Sequence, residues 1–427
     1  MSQVALFLTQ SLTLMVIPFA VWSLAGVRRV MPLAVVQILA GLLAGPTLFA
    51  NLAPETFASI FPPSSVERLS GLCWLAAILF TSLTGMHLDL SEVGGKNRVF
   101  FAIGLSNMGM PLVLGICVGL WAVGNAPTLI GSSGNKLGFV FAIGIAASAT
   151  ALPVLGAILR DAGLIESKIG KLALSYAALN DVLLWLLITL LLSTVGSSSP
   201  QIAAVVWLIP STLLYFSLSF LVVRPLLARY AATPNADGRI TPGQIVLIVC
   251  HFVVSALVTE LIGLHYLIGA FTAGAIVPKP LKPLITALFE PLCAFILLPF
   301  YFVATGLKVS LNVEVGQTLS LVVLSMIAAT SGRIVGMAVP ARLSGLAWRD
   351  AIHLGILLQS KGFVEVAILN VFFDAGLISQ SAFSALILMA IVTTAMTMPA
   401  ALAFESSSAR TTPSGHVALR EHAHDRD

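Results

Sequence analysis

The sequence predicts an all-α polytopic membrane protein of about thirteen transmembrane helices, built as an inverted repeat with two crossed broken helices. Three observations predict it. Of 427 residues, 58% are hydrophobic and only 9% charged, with a mean hydropathy of +1.01, whereas an ordinary soluble domain is about a quarter charged. Apolar runs long enough to cross a ~30 Å hydrocarbon core follow one another along nearly the whole chain. Two of these runs are interrupted near their centres by helix-breaking and polar residues, and they fall at corresponding places in the two halves.

Hydropathy and breakers together put the spans near 4–25, 32–49, 70–88, 98–121, 138–159, 169–195, 201–223, 242–262, 264–278, 284–306, 316–341, 350–373 and 380–404. The first run is long and lacks a small-residue cleavage site, so it is expected to be retained as a span rather than removed as a signal peptide. Repeat one covers about 4–195, a connector helix about 201–223 and repeat two about 242–404, so that 1–405 forms one transmembrane domain. The residues from 406 to 427, including "HVALREHAHDRD", are polar and are expected to form a short disordered cytoplasmic tail with no soluble domain after it.

Charge orients the spans. With the N-terminus outside, seventeen of the 22 basic residues fall in inner loops or the tail, among them Arg28, Arg29, Lys96, Arg160, Arg239 and Arg342, and only Arg68, Lys136 and Lys308 fall outside. That asymmetry follows the positive-inside rule and supports an odd number of spans in a cell membrane. The sequence pI of 9.0 carries no nucleic-acid signal, because the basic residues are scattered singly. Cys73, Cys117, Cys250 and Cys293 are isolated in apolar segments, so neither a disulfide framework nor a metal centre is expected. No cofactor is implied.

The fifth span reads "GFVFAIGIAASATALPVLGAIL", with Ser148, Thr150 and Pro153 at its centre. Proline lacks a backbone donor and disfavours helix at the preceding residue, here Leu152. The twelfth reads "AIHLGILLQSKGFVEVAILN", with Gln359, Ser360, Lys361 and Gly362 at its centre. Irregular backbone at membrane depth is tolerated only where it lines a cavity or is buried in protein. Counted as two sets of six spans around the connector, both breaks occupy the fifth place, and the odd connector inverts the halves. Matched interruptions of this kind point to a transporter's binding site.

Beside the first break, "AALNDVLLW" buries Asn180 and Asp181 in an apolar run. An ionisable residue at that depth is a functional hypothesis by default: a carboxylate able to hold a cation or a proton, or else a structural ion pair. Asn180 offers an amide that could donate to the carboxylate. Arg333, in "ATSGRIVGMAV", is a permanent cation whose expected work is structural, offsetting the negative half-helix ends at the crossing. Lys361 could do the same. Glu365 lies one turn on and could pair with Lys361 at i,i+4. Glu260, near the outer end of the eighth span, reads as an accessory vestibule or interface carboxylate. His87, His251, His265 and His353 have no metal-ligand spacing.

No catalytic signature is present: no G-x-S-x-G, no H-E-x-x-H, no P-loop and no dinucleotide fingerprint. Asp89, Asp161 and Asp374 fall at span ends, so an intramembrane aspartyl protease lacks its second buried acid. The chain is not expected to be an enzyme.

The stretch "SATALPVLGAILRDAGLIESKIGKLALSYAALNDVLLW" (148–185), with "VVQILAGLLAGPTL", "TELIGLHYLIGAFTAGAIVP", "SGRIVGM" and "LLQSKGFVEVAILN", resembles the monovalent cation:proton antiporter-2 family, nearest the plant cation/proton exchangers and their bacterial relatives. The likeness runs over roughly 5–405. It implies the sodium/proton antiporter fold, with a dimer domain and a core domain, usually as a homodimer in the bilayer. It also implies that Asp181 is the shared proton and cation site, with Asn180 as its partner. Thr150 is implied to contribute from the unwound helix, with Ser148 beside it, and Arg333 to hold the usual basic position. Gln359 and Ser360 are accessory. Related antiporters carry an acid five residues before the aspartate, where this chain has Tyr176. Glu365 is therefore the candidate partner for Arg333. The nucleotide-binding C-terminal domain of glutathione-gated relatives is not expected. The activity implied is exchange of Na⁺ or K⁺ for H⁺ by competition for one carboxylate. Two rival readings are a sodium-coupled symporter of an organic anion on the same fold and a membrane sensor without turnover.

Overall fold

The computed structural model describes residues 2–24, 27, 33–45, 48–87, 98–161, 163–164, 167–195, 202–231, 240–309 and 315–409. The expected inner positions Arg28, Arg29, Lys96 and Arg239, and the tail from 410 on, lie outside these residues. Fifteen helices carry the argument. They are α1 (Gln3–Ser23), α2 (Leu33–Ala44), α3 (Pro63–Met86), α4 (Arg98–Asn125), α5 (Lys136–Ser148), α6 (Leu152–Asp161), α7 (Lys168–Val195) and α8 (Ile202–Leu218). These are followed by α9 (Pro242–Leu261), α10 (Tyr266–Ala275), α11 (Lys282–Lys308), α12 (Val315–Leu343), α13 (Trp348–Leu357), α14 (Phe363–Asp374) and α15 (Gln380–Ala409).

Among the described residues, ten helices are long and apolar enough to cross a membrane. The other three expected spans are occupied by shorter pieces: α5 with α6, α13 with α14, and α10 with only ten residues. Length and composition thus mark ten single helices as candidate spans, and these shorter pieces stand where the hydropathy pattern places the other three. Two helices carry π-helical turns, Ser219–Val223 after α8 and Cys293–Leu297 within α11, where the chain stays helical but changes face. α15 runs through Ala409, so residues 406–409, expected in a disordered tail, are helical. Its apolar stretch simply carries on as helix.

The helices pack as two groups. α1, α2, α3, α9, α10 and α11 pack among themselves, as do α4 to α7 with α12 to α15. The broadest contact in the second group joins α4 to α12, the fourth helices of the two expected halves. In the first group α2 and α11 cross at Gly41 and Gly306. A side chain at either glycine would run into the other helix's backbone, the small-residue contact by which membrane helices approach closely. The connector α8 touches both groups: it packs on α7 of the second, and its Tyr215 Oη lies 2.6 Å from Ser255 Oγ of α9 in the first. Contact between the groups runs mainly through α11 on α14 and α15 on α2.

Candidate functional site

Both predicted breaks are present, and they meet. α5 ends at Ser148 and α6 starts at Leu152, while α13 ends at Leu357 and α14 starts at Phe363. Leu152 is helical, against the expectation that Pro153 would exclude it. The break lies one step earlier, at 149–151, because proline in the first turn of a helix gives up a donor that has no partner there anyway. The two interruptions are tied by Ala151 N–H donating to Ser360 O at 2.8 Å and Ser360 Oγ donating to Ala151 O at 3.4 Å. Thr150 Oγ1 donates to Leu358 O at 3.2 Å. The second break is fixed from its own group by Gln359 Nε2, which donates to Ala329 O and Thr330 O of α12, and by Thr394 Oγ1 of α15, which donates to Lys361 O at 3.0 Å.

The four ends of these half-helices leave backbone groups without intrahelical partners. The carbonyl end of α5 receives two cations. Arg333 donates to Ser148 O, and to Ala149 O at 2.9 Å. Lys361 Nζ donates to Ala146 O at 3.0 Å and Ala149 O at 3.4 Å. Positive charge is favoured at a helix C-terminus, and both Arg333 and Lys361 lie on these carbonyls. The carbonyl end of α13 is treated differently, with the neutral donors Thr150 and Ala151 on Leu358 and Ser360.

Glu365 accepts from Lys361 Nζ at 3.1 Å, and both side chains are fully buried. Among the described residues no hydrogen bond joins it to Arg333, its candidate partner. One helical turn places Glu365 on Lys361, and the guanidinium turns to carbonyl oxygens and to Asn180 Oδ1 at 3.2 Å.

Asn180 departs from its reading too. Its Nδ2 donates to Ser148 O at 3.4 Å and its Oδ1 accepts from Arg333, so the amide does not serve Asp181. Adjacent residues on a helix do not face each other. Asp181 itself is 1% exposed, and neither carboxylate oxygen has a hydrogen-bond partner among the described residues. Ser148 Oγ donates back to Ile145 O at 2.9 Å, within its own helix. Glu260 is exposed and accepts from Tyr266 N–H at 3.0 Å, capping α10 rather than lining a site.

Sequence reasoning missed Asn107. Its carbonyl accepts from Arg333, and its fully buried amide has no partner among the described residues. The signal was a lone Asn in the apolar run of α4. Among the described residues no group of His, Cys, Asp or Glu could hold a metal centre.

A family model described as "Sodium/hydrogen exchanger, transmembrane" matches residues 12–403. The chain belongs to that family. It is similar to Cation/H(+) antiporter 19 of Arabidopsis thaliana, 31% identical over 92% of this chain and 49% of that protein. It is also similar to K(+)/H(+) antiporter 1 of Saccharomyces cerevisiae, 28% identical over 86% of this chain and 43% of that one. The chain thus spans about half the length of these relatives. Na(+)/H(+) antiporter NhaS4 of Synechocystis is 29% identical over 86% of this chain and 90% of its own. Among solved structures, the sodium proton antiporter MjNhaP1 from Methanocaldococcus jannaschii superposes with a TM-score of 0.64 at 14% identity, covering 96% of this chain and 99% of that one. The chain therefore shares that fold.

Proposed function

We propose that this exchanger chain trades one monovalent cation, Na⁺ or K⁺, for one H⁺ across a cell membrane by alternating access, with Asp181 as the carrier of both. One observation carries the reading. Asp181 is a buried carboxylate without a hydrogen-bond partner among the described residues, beside a crossing whose structural charges already have theirs. Arg333 and Lys361 are taken up by the α5 carbonyl end and Glu365, which leaves Asp181 oxygens for a transported ion. Thr150 Oγ1 spends its proton on Leu358 and keeps lone pairs, so it adds a neutral oxygen ligand. Unwound backbone at crossed half-helices is where transporters place such ions. Proton and cation bind the same carboxylate, so each excludes the other, and that exclusion is the coupling.

The second helix group, which holds the crossing, is the moving core in this reading, and the first is the frame that pairs two copies into a homodimer. The N-terminus is outside and the C-terminus cytoplasmic. The function is transport rather than catalysis.

Reconstitution of purified protein in proteoliposomes with a pH-sensitive dye tests it. Addition of Na⁺ or K⁺ should dissipate an imposed proton gradient, and Asp181→Asn should abolish the response while the protein still folds and assembles. Robust cation-driven proton flux in Asp181→Asn would remove Asp181 from the role. Repeating the assay with Li⁺, Na⁺, K⁺ and Rb⁺ ranks the cations. A sodium-coupled symporter would need an organic anion before it moved charge, and a sensor would move none.

A further inference from the structure

The groups meet along one face of α14 on one face of α11. On α14 the face is Phe363, Asn370 and Asp374, and on α11 it is Tyr301, Thr305 and Lys308, all at helical spacing. At the inner start of the seam the Phe363 ring packs on Tyr301, 5.0 Å between centroids, and on Phe80 of α3 at 4.8 Å. Seven to eleven residues on, about 10–16 Å along the helix, the contact has become polar. Asn370 Nδ2 donates to Thr305 Oγ1 at 3.0 Å, and Asn370 Oδ1 accepts from Lys308 Nζ at 3.1 Å. Lys308 also lies 3.5 Å from Asp374 and over the Phe373 ring at 5.9 Å. Gln380 Nε2, at the start of α15, donates to Lys308 O at 3.1 Å. One side chain of the first group, Lys308, is thus held by three residues of the second.

This end of the bundle is the one that also joins Thr128 to Gln317 and pairs Ile130 with Ile378. Those links lie within the second group, so that group is closed on itself and touches the first here chiefly through the seam. Polar contacts suit a seam that opens repeatedly. Water can replace each hydrogen bond when the groups part, so the penalty of separation is small and the contact re-forms. Aromatic contacts at the inner start resist wetting and act as a stop.

We propose that Lys308, Asn370 and Asp374 form a latch that holds the two helix groups together at this end, and that its release opens the site at Asp181 to that side. Only the last clause rests on the exchange reading.

The test is a distance measurement by double electron–electron resonance on protein reconstituted in nanodiscs, with the four native cysteines replaced by alanine. Spin labels go on Leu261 at the end of α9 and Leu319 near the start of α12, which are 76% and 56% exposed, one in each group. Lys308→Met and Asn370→Leu should enlarge a longer-distance population roughly three- to tenfold, the factor expected for losing one or two ordinary hydrogen bonds. Lys308→Arg keeps the cation and should restore the parent distribution. Lys308 is partly exposed, so Lys308→Met leaves the buried core intact and reads the latch even if Asn370→Leu, at a buried position, disturbs packing. Identical distributions in all variants would overturn the latch. Because the distances are read without transport, a latch that responds in a protein lacking cation-driven proton flux would refute the exchange reading alone. Flux with unmoved distances would refute the latch alone.

Discussion

Arg333 and Ala149 meet at 2.9 Å across the helix crossing, the guanidinium of α12 on a carbonyl at the end of α5. The bond runs between elements far apart in the chain and closes a helix end that Lys361 also reaches. Arg333→Met should therefore lower thermal stability at least as much as it lowers transport. Removing one partner from a buried charge cluster costs about 3–5 kcal/mol. A melting curve in detergent checks this. An unchanged melting temperature with lost transport would move Arg333 from the scaffold to the mechanism.

Glu365→Gln keeps the shape of the side chain but leaves the Lys361 ammonium with carbonyl oxygens alone. Its partner Nζ–Oε1 contact of 3.1 Å is fully buried, so the cost should again fall in the range of about 3–5 kcal/mol. The double variant Glu365→Gln with Lys361→Met should recover part of that stability, because no uncompensated charge then remains. A double-mutant cycle measured by thermal unfolding reads the coupling. Additive losses would mean that the pair is not a unit.

The parts of this site that the sequence displays are those that break a membrane rule. Asp181, Asn180, Arg333 and the Gln359–Gly362 run all stand out because polar groups and irregular backbone are costly in hydrocarbon. The i,i+4 spacing of Lys361 and Glu365 was readable for a second reason, helix periodicity. Partners were harder to read. Arg333 binds backbone carbonyls, and a carbonyl is present at every residue, so no side-chain pattern announces it. Asn107 looked like one more polar residue in a long helix. The seam of Lys308 with Asn370 joins positions 62 apart in the chain, and the two helix groups interleave in sequence, so no local pattern reveals either. The π-helical turns in α11 and after α8 follow from packing and leave no mark in composition.

Thr150→Val removes a hydroxyl that donates to Leu358 O at 3.2 Å and replaces it with a methyl group of similar volume. Two effects should follow. The apparent affinity for the cation should weaken more than the maximal rate falls, because one neutral oxygen ligand is gone. Stability should drop by about 1–3 kcal/mol, since Leu358 O loses its buried donor. Exchange rates measured across a cation titration, paired with a melting curve, separate the two. A reduced melting temperature with an unchanged half-saturating concentration would assign Thr150 to the crossing alone.

Exchange should be electroneutral, and the reason is a charge count at the crossing. Arg333, Lys361 and Glu365 contribute two positive charges and one negative, and all three are held by partners on the protein. In one crossing state Asp181 carries a proton and is neutral. In the other it is ionised with a monovalent cation bound, and the pair is again neutral. Asn180 does not ionise, so no second carboxylate changes the count. Arginine keeps its charge in proteins, whereas a desolvated lysine can lose its proton, which makes Lys361 the one group able to add a charge to the cycle. Its contacts with Glu365 and the α5 carbonyls all require donor hydrogens, and the charged ammonium supplies three. A membrane potential is worth about 2.3 kcal/mol per charge per 100 mV, so a cycle that moves no net charge should leave the steady-state cation gradient unchanged when a potential is imposed at fixed ΔpH. Proteoliposomes with a clamped potential and a trapped pH dye provide the measurement. Uptake driven by potential alone would mean that a second charge moves per turnover, and Lys361→Met should then abolish that component.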